Sequence, residues 1–190
     1  MPMEESATSM LHATPLTNSL GGFQWVCTIP KRVVGDTACA SSCSSPWESQ
    51  DTLESNSAPF SVGFLPQTWG GSEAHSLDCG GLPWAVQPID VVEISGGQFK
   101  SGEVYLIKPL FAFALVDDVG LLSWKVVAIH AEDALAGDLN SIEDLHRQMP
   151  GLLKTVKEWL HSCASDSSGK LISSAFSPNL VTRHVLERCG

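Results

Sequence analysis

The stretch over residues 83–95, Pro-Trp-Ala-Val-Gln-Pro-Ile-Asp-Val-Val-Glu-Ile-Ser, constrains this chain more than any other. Its centre, Ile89-Asp90-Val91-Val92-Glu93-Ile94, is rich in β-branched residues, which suit a pleated, buried strand better than a helix. Asp90 interrupts it with a carboxylate that packing does not require, and burying a charge is costly unless it is paired. The residue therefore either meets a metal ion or is satisfied locally, by turn amides or by Lys125.

Comparable runs lie on both sides. Residues 23–29 alternate large apolar and smaller side chains and stop at Pro30, and residues 59–69 resume an extended course. Gly96-Gly97 closes the central strand. Residues 102–110, 111–116 and 124–129 read as three more strands, with Asp117-Asp118-Val119-Gly120 as a turn before the last. Such short strands predict a meander that closes into a small barrel.

The C-terminal third changes period. Ser141 can cap a helix over residues 142–148, with Glu143 and Asp144 in its first turn, where the helix dipole favours acids. Pro150-Gly151 breaks that helix, and Leu152, Leu153, Val156, Trp159 and Leu160 then share one face of a second. Ser177-Pro178 opens a last helix through Val181, Val185 and Leu186. The expected class is α+β: an OB-like, five-stranded closed β-barrel flanked by two or three helices.

A chain of 190 residues suits one domain with a real core. Residues 1–20 are small and polar and read as an N-terminal arm, and the domain is expected over 21–190, with a variable Ser-rich surface loop at 35–58. A net charge of −10 with 11 scattered basic residues excludes a nucleic-acid footprint and an anionic membrane surface, and favours cations or basic partners. No run approaches the roughly 20 apolar residues of a membrane span. The acidic start, Glu4 and Glu5, does not read as a secretory or transit peptide, so an intracellular location, cytoplasmic or organellar, is expected. The six cysteines form no CxxC pair and are read as reduced thiols.

The order of motifs resembles the soluble, family I inorganic pyrophosphatases of eukaryotic type over about residues 12–188. The matching pieces are Val26-Cys27-Thr28-Ile29-Pro30-Lys31, Phe64-Leu65-Pro66-Gln67-Thr68-Trp69, Pro88-Ile89-Asp90-Val91-Val92-Glu93-Ile94, Trp124-Lys125-Val126-Val127-Ala128-Ile129 and Asp138-Leu139-Asn140-Ser141-Ile142-Glu143-Asp144. The resemblance implies the OB-like barrel, which the strand pattern suggests independently, and a magnesium-dependent chemistry on pyrophosphate.

The departures bear on that chemistry. Where the family runs Gly-Asp-Asn-Asp-Pro-Ile-Asp-Val, its three acids fall at Ala85, Gln87 and Asp90, so one survives. A second acidic segment aligns with residues 117–125: its first acid is kept as Asp117, its last metal-binding acid is Ser123, and its lysine is Lys125. The family's acid in the first strand is Thr28, a phosphate-contacting lysine aligns with Asp36, and a tyrosine is Val62. A later Tyr-Lys pair is Ala164 and Ser165, while Lys170 keeps a Gly-Lys pair.

Pyrophosphate hydrolysis needs several divalent ions to neutralise the substrate and activate water, and carboxylates gather those ions. The remnants are Lys125 and Lys170 as catalytic candidates and Asp90 and Asp117 as residual metal candidates. Each also has a plain role: Asp117 and Asp118 suit an ordinary turn, Lys125 a strand residue with its head in solvent, and residues 130–133 a solvated loop. Trp25, Trp69, Trp124 and Trp159 read as core, whereas Trp84 is expected to help fill the old cleft. The expectation is a pyrophosphatase-like chain without turnover, serving as a structural or scaffold subunit of a larger protein assembly; a homodimer is open. No cofactor is expected, with Mg2+ the ion that a persisting site would take. The alternative is a divergent Mg-dependent inorganic diphosphatase, and a third reading is a regulatory module with a weak ion site.

Overall fold

The computed structural model describes residues 14–20, 22–29, 59–68, 75–76, 81–83, 85, 87–116, 120–164 and 170–172. In chain order the described elements are β1 (Phe23–Ile29), β2 (Ser61–Phe64), β3 (His75–Ser76), β4 (Leu82–Pro83), β5 (Asp90–Glu93), β6 (Val104–Val116), β7 (Leu122–His130), α1 (Ile142–Gln148), α2 (Leu152–Ala164) and β8 (Lys170–Ile172). The main sheet has the order β1-β2-β5-β7-β6-β8, and β1 also pairs with β6. Hydrogen-bonded neighbours thus lead from β1 through β2, β5, β7 and β6 back to β1. Only β5 and β7 run parallel; the other pairings are antiparallel, and β3 with β4 forms a separate two-stranded ribbon.

Strand alternation builds two cores. Trp25, Cys27, Val91, Ala112, Ala114, Val126 and Ala128 pack on one side of the sheet with Phe99 and Trp124. Val92, Ile94, Phe111, Phe113, Val127 and Ile129 face the other, where Leu145 of α1 and Val156 and Leu160 of α2 cover them. The helices are placed by their apolar faces, as the 3.6-residue spacing predicted. Ser141 caps α1: its Oγ accepts from the Asp144 N–H at 3.1 Å.

The two strands expected over 102–110 and 111–116 are one 13-residue strand, β6. Pro109 stands opposite Ala128 and Phe111 opposite Val127, so Leu110 is the extra residue of a bulge. The bulge reconciles two incompatible alternations. Ile107 faces the first core and Phe113, also odd-numbered, faces the second. Proline lacks the N–H a regular ladder needs, which favours the irregularity here. Conversely, the central stretch is not one strand: Leu82–Pro83 pairs with β3, while the main-sheet strand starts at Asp90. Between them the Gln87 N–H donates to the Ala85 carbonyl at 3.0 Å, a tight turn, and Pro88 interrupts pairing.

Part of the proposed arm is described. The Gln24 N–H donates to the Leu16 carbonyl at 2.8 Å, Thr17 bridges to Phe23, and Leu16 leans on the first core. The Ser-rich loop at 35–58 and the last helix expected after Ser177 lie outside the described residues.

Candidate functional site

The turn Leu65-Pro66-Gln67-Thr68 sets the start of β5. Buried Thr68 donates its hydroxyl to the Leu65 carbonyl at 2.7 Å and accepts from the Ile89 N–H at 3.1 Å. The Leu65 N–H donates in turn to the Ile89 carbonyl at 2.9 Å, and Gln67 turns the chain with φ of 56°, in the left-handed region. The motif thereby delivers Asp90 as the first residue of β5.

Asp90 is 8% exposed and stands in register with Lys125 across the parallel β5–β7 pair. Its carboxylate Oδ2 and the Lys125 Nζ make a direct, hydrogen-bonded ion pair. Phe64 lies opposite Asp90 on β2 and Phe113 opposite Lys125 on β6, so the row across four strands reads Phe64, Asp90, Lys125, Phe113. Both phenylalanines are fully buried, which leaves rings rather than solvent on either flank of the pair. From α2, the Lys157 Nζ lies 5.7 Å from the Phe113 ring centroid and adds a cation–π contact near this row.

The neighbouring positions are neutral. The Gln87 side-chain amide donates to the Ser123 hydroxyl at 2.5 Å, and the Ala85 N–H donates to the Leu122 carbonyl at 2.7 Å. Ala85, Gln87 and Ser123 line a small pocket with Ile89, Leu122 and Trp124. In the sequence these three are separate departures in two distant segments, but the fold brings them to one place.

Of the expected site residues, the structure joins Asp90 to Lys125 and removes the lysine head from the solvent expected for it, its side chain being 18% exposed. Lys170 opens β8 opposite Val116, and Asp117 and Trp84 lie outside the described residues. His130 is not in a solvated loop: it ends β7, half-buried, with its ring centroid 5.6 Å from that of Phe99. Trp25 and Trp124 are core, as expected.

Glu93 is a buried carboxylate that the sequence reading left without a role. Its Oε1 accepts from the Ser95 N–H at 2.9 Å and the His130 N–H at 3.0 Å, tying the turn after β5 to the end of β7. The available signal was its place, next but one before Ser95-Gly96-Gly97, at a position whose parity matches the core residue Val91.

These observations define the class first. An α+β chain with this sheet order shares its fold with type I inorganic pyrophosphatases: the Toxoplasma gondii structure gives a TM-score of 0.75 at 24% identity, covering 93% of this chain and 83% of that one. The Thermus thermophilus inorganic pyrophosphatase gives 0.65 at 15% identity, covering 92% and 93%. The sequence makes the family specific: a family profile described as "Pyrophosphatase: Inorganic pyrophosphatase" matches residues 29–187, and this chain belongs to that family, as a family I member. It is 34% identical to soluble inorganic pyrophosphatase 6, chloroplastic, of Arabidopsis thaliana over 78% of this chain and 51% of that one. It is 34% identical to soluble inorganic pyrophosphatase 1, chloroplastic, of Chlamydomonas reinhardtii over 80% and 55%. The chain therefore spans about half the length of these curated relatives.

Magnesium, which the family implies, is poorly served by the donors described. They are one carboxylate already paired with an ammonium group, one amide and one hydroxyl bonded to each other. No group of three potential His, Cys, Asp or Glu ligands occurs among the described residues. A hard divalent ion held by protein carboxylates has no such cluster to bind there.

Proposed function

We propose that this chain is a pyrophosphatase-like protein without diphosphatase turnover, retained as a structural or scaffold subunit of a larger protein assembly. One observation carries the loss of turnover. At three of the places where the resemblance puts family acids, Ala85, Gln87 and Ser123 meet as a neutral cluster closed by the Gln87–Ser123 hydrogen bond. Transition-state charge stabilisation is typically worth roughly 3 kcal/mol per donor, so several such losses together remove most of the rate. The intact double core supports a fold kept for its shape. The ring of pairings through β1, β2, β5, β7 and β6 supports the OB-like barrel. The chloroplastic names of two relatives support an organellar compartment.

Phosphate release from pyrophosphate by the purified chain with magnesium tests the first half, and no release above buffer is expected. Turnover that Asp90→Ala abolishes would instead establish a divergent Mg-dependent diphosphatase, the reading that the surviving Asp90 and Lys125 favour. Native electrophoresis of the tagged chain from its source tests the second half. Migration well above that of a 20.3 kDa monomer or its homodimer is expected, and a monomer or homodimer alone would defeat the scaffold role.

A further inference from the structure

We infer that Tyr105 is an oxidative modification site: a one-electron oxidant takes an electron from its ring while Glu103 takes its proton, and Trp25 behind it passes oxidising equivalents out of the first core. Tyr105 is the chain's one tyrosine. It lies near the start of β6, packed against the first core. Its hydroxyl donates to the Glu103 carboxylate at 2.7 Å and accepts from the Lys100 N–H at 2.9 Å. The Lys100 Nζ lies 3.5 Å from the other Glu103 oxygen. Burial holds the phenol above its usual range, while the Tyr105 hydrogen bond, with Lys100 helping, holds the Glu103 carboxyl below its own. At neutral pH the resting pair is therefore a neutral phenol bonded to a carboxylate. Ser123 pairs with Leu115 towards the far end of β6, so this place is separate from the neutral pocket.

The rings behind Tyr105 form a continuous path. Its ring centroid lies 4.8 Å from that of Phe99 and 5.9 Å from that of Trp25, and Phe99 meets Trp25 edge-on at 5.2 Å. Trp25 is fully buried, and its indole N–H has no hydrogen-bond partner among the described residues. An electron lost from Trp25 leaves a positive charge in an apolar core with no base to take the proton, which is costly. An electron lost from Tyr105 leaves no such charge. The phenolic proton crosses to Glu103, the ring becomes a neutral phenoxyl radical, and the carboxyl, its side chain 51% exposed, passes the proton to water. The electron hole therefore settles at Tyr105. Two such radicals on two chains pair their electrons in a carbon–carbon bond, and the hydrogen displaced from each ring carbon returns to its oxygen. In sum, two electrons go to two equivalents of oxidant and two protons to solvent. With one tyrosine per chain, a dityrosine bond can only join two copies through Tyr105.

The test uses the purified full chain, with a photogenerated ruthenium(III) polypyridyl complex as the one-electron oxidant. The wild type is expected to give a dimer with dityrosine fluorescence that survives a reducing gel, which separates it from disulfides of the six cysteines. Glu103→Gln keeps an acceptor oxygen on an exposed side chain but removes the base. It should slow cross-linking about tenfold, less than a positioned base is worth where water cannot replace it. Cross-linking of Glu103→Gln at the wild-type rate overturns the proton's route. Tyr105→Phe keeps the ring and closes the outlet, so oxygenated Trp25, read by peptide mass spectrometry, should rise several-fold over the wild type. Equal Trp25 oxidation in the two proteins overturns the path from the core. A wild type oxidised at methionine or cysteine with Tyr105 intact overturns the site itself.

Discussion

Gly63 has no room for a side chain. A Cβ built there would lie 1.9 Å from the Val26 carbonyl oxygen and 2.3 Å from the Trp25 indole nitrogen, and neither the backbone nor a fully buried indole can yield cheaply. Gly63→Ala is expected to cost about 3 kcal/mol or more, at the upper end of overpacking effects. In a chain of this length that lowers the melting temperature by roughly 6 °C or more, which thermal denaturation followed by circular dichroism will register. A loss of under about 1 °C would mean that β1 and β2 can part without consequence. Glu93 is the opposite case, a polar residue the core is built around. Glu93→Leu would leave the Ser95 and His130 N–H groups without their carboxylate acceptor, and should cost about 2 to 4 kcal/mol in urea unfolding. At this scale the sequence was informative about type more than partner. That Asp90 needed a partner followed from its burial in an apolar run, and Lys125 was among those named. That Gln87 meets Ser123 did not follow, because the contact spans 36 residues and depends on how β5 and β7 align.

The elements differ in how fully their own residues specify them. The cap of α1 is local: the Ser141 hydroxyl accepts from the Asp144 N–H and donates to the Asp144 carboxylate, which also accepts from the Asn140 N–H. The Ser141 hydrogen bond, with the Asn140 amide and Arg147 helping, holds the Asp144 carboxyl below its usual range. A depressed acid stabilises the fold above its unfolded titration range, and that contribution is lost as pH falls through its folded value. The stability difference between wild type and Asp144→Asn should therefore be present at neutral pH and vanish towards acid, below the ordinary carboxylate range. Melting temperatures of the two proteins across pH check this; a difference that persists undiminished in acid removes the cap from the explanation. Because every signal for this helix lies between Ser141 and Gly151, the sequence located it. β6 was misread as two strands for a physical reason that is equally local. The bulge at Leu110 reverses the alternation, so each half looks complete in itself, and only pairing with β7 shows one strand. Deleting Leu110 should turn residues on one side of the deletion to the wrong face. Loss of near-ultraviolet dichroism and of a cooperative unfolding transition is expected, whereas retention of both would mean the bulge is dispensable.

For the whole molecule the question is whether the carboxylates alone separate this chain from a working pyrophosphatase. Ala85, Gln87 and Ser123 line one pocket, so Ala85→Asp, Gln87→Asp and Ser123→Asp made together would gather three acids beside Asp90. Without metal they repel one another, and the triple variant should melt below the wild type. Magnesium should restore that loss, because an ion bound by the folded state alone raises stability with its concentration. Turnover should nevertheless stay absent. The resemblance also places a phosphate-contacting lysine where this chain has Asp36 and a second lysine, of a Tyr-Lys pair, where it has Ser165, and charge on the substrate would still lack these basic partners. Melting curves with and without magnesium, run beside phosphate-release assays on the same samples, separate the two requirements. A magnesium-stabilised variant that releases no phosphate assigns the deficit to both halves of the site. Phosphate release restored by the three acids would show instead that the family's basic groups are dispensable here, and that Lys125 and Lys170 serve the substrate between them.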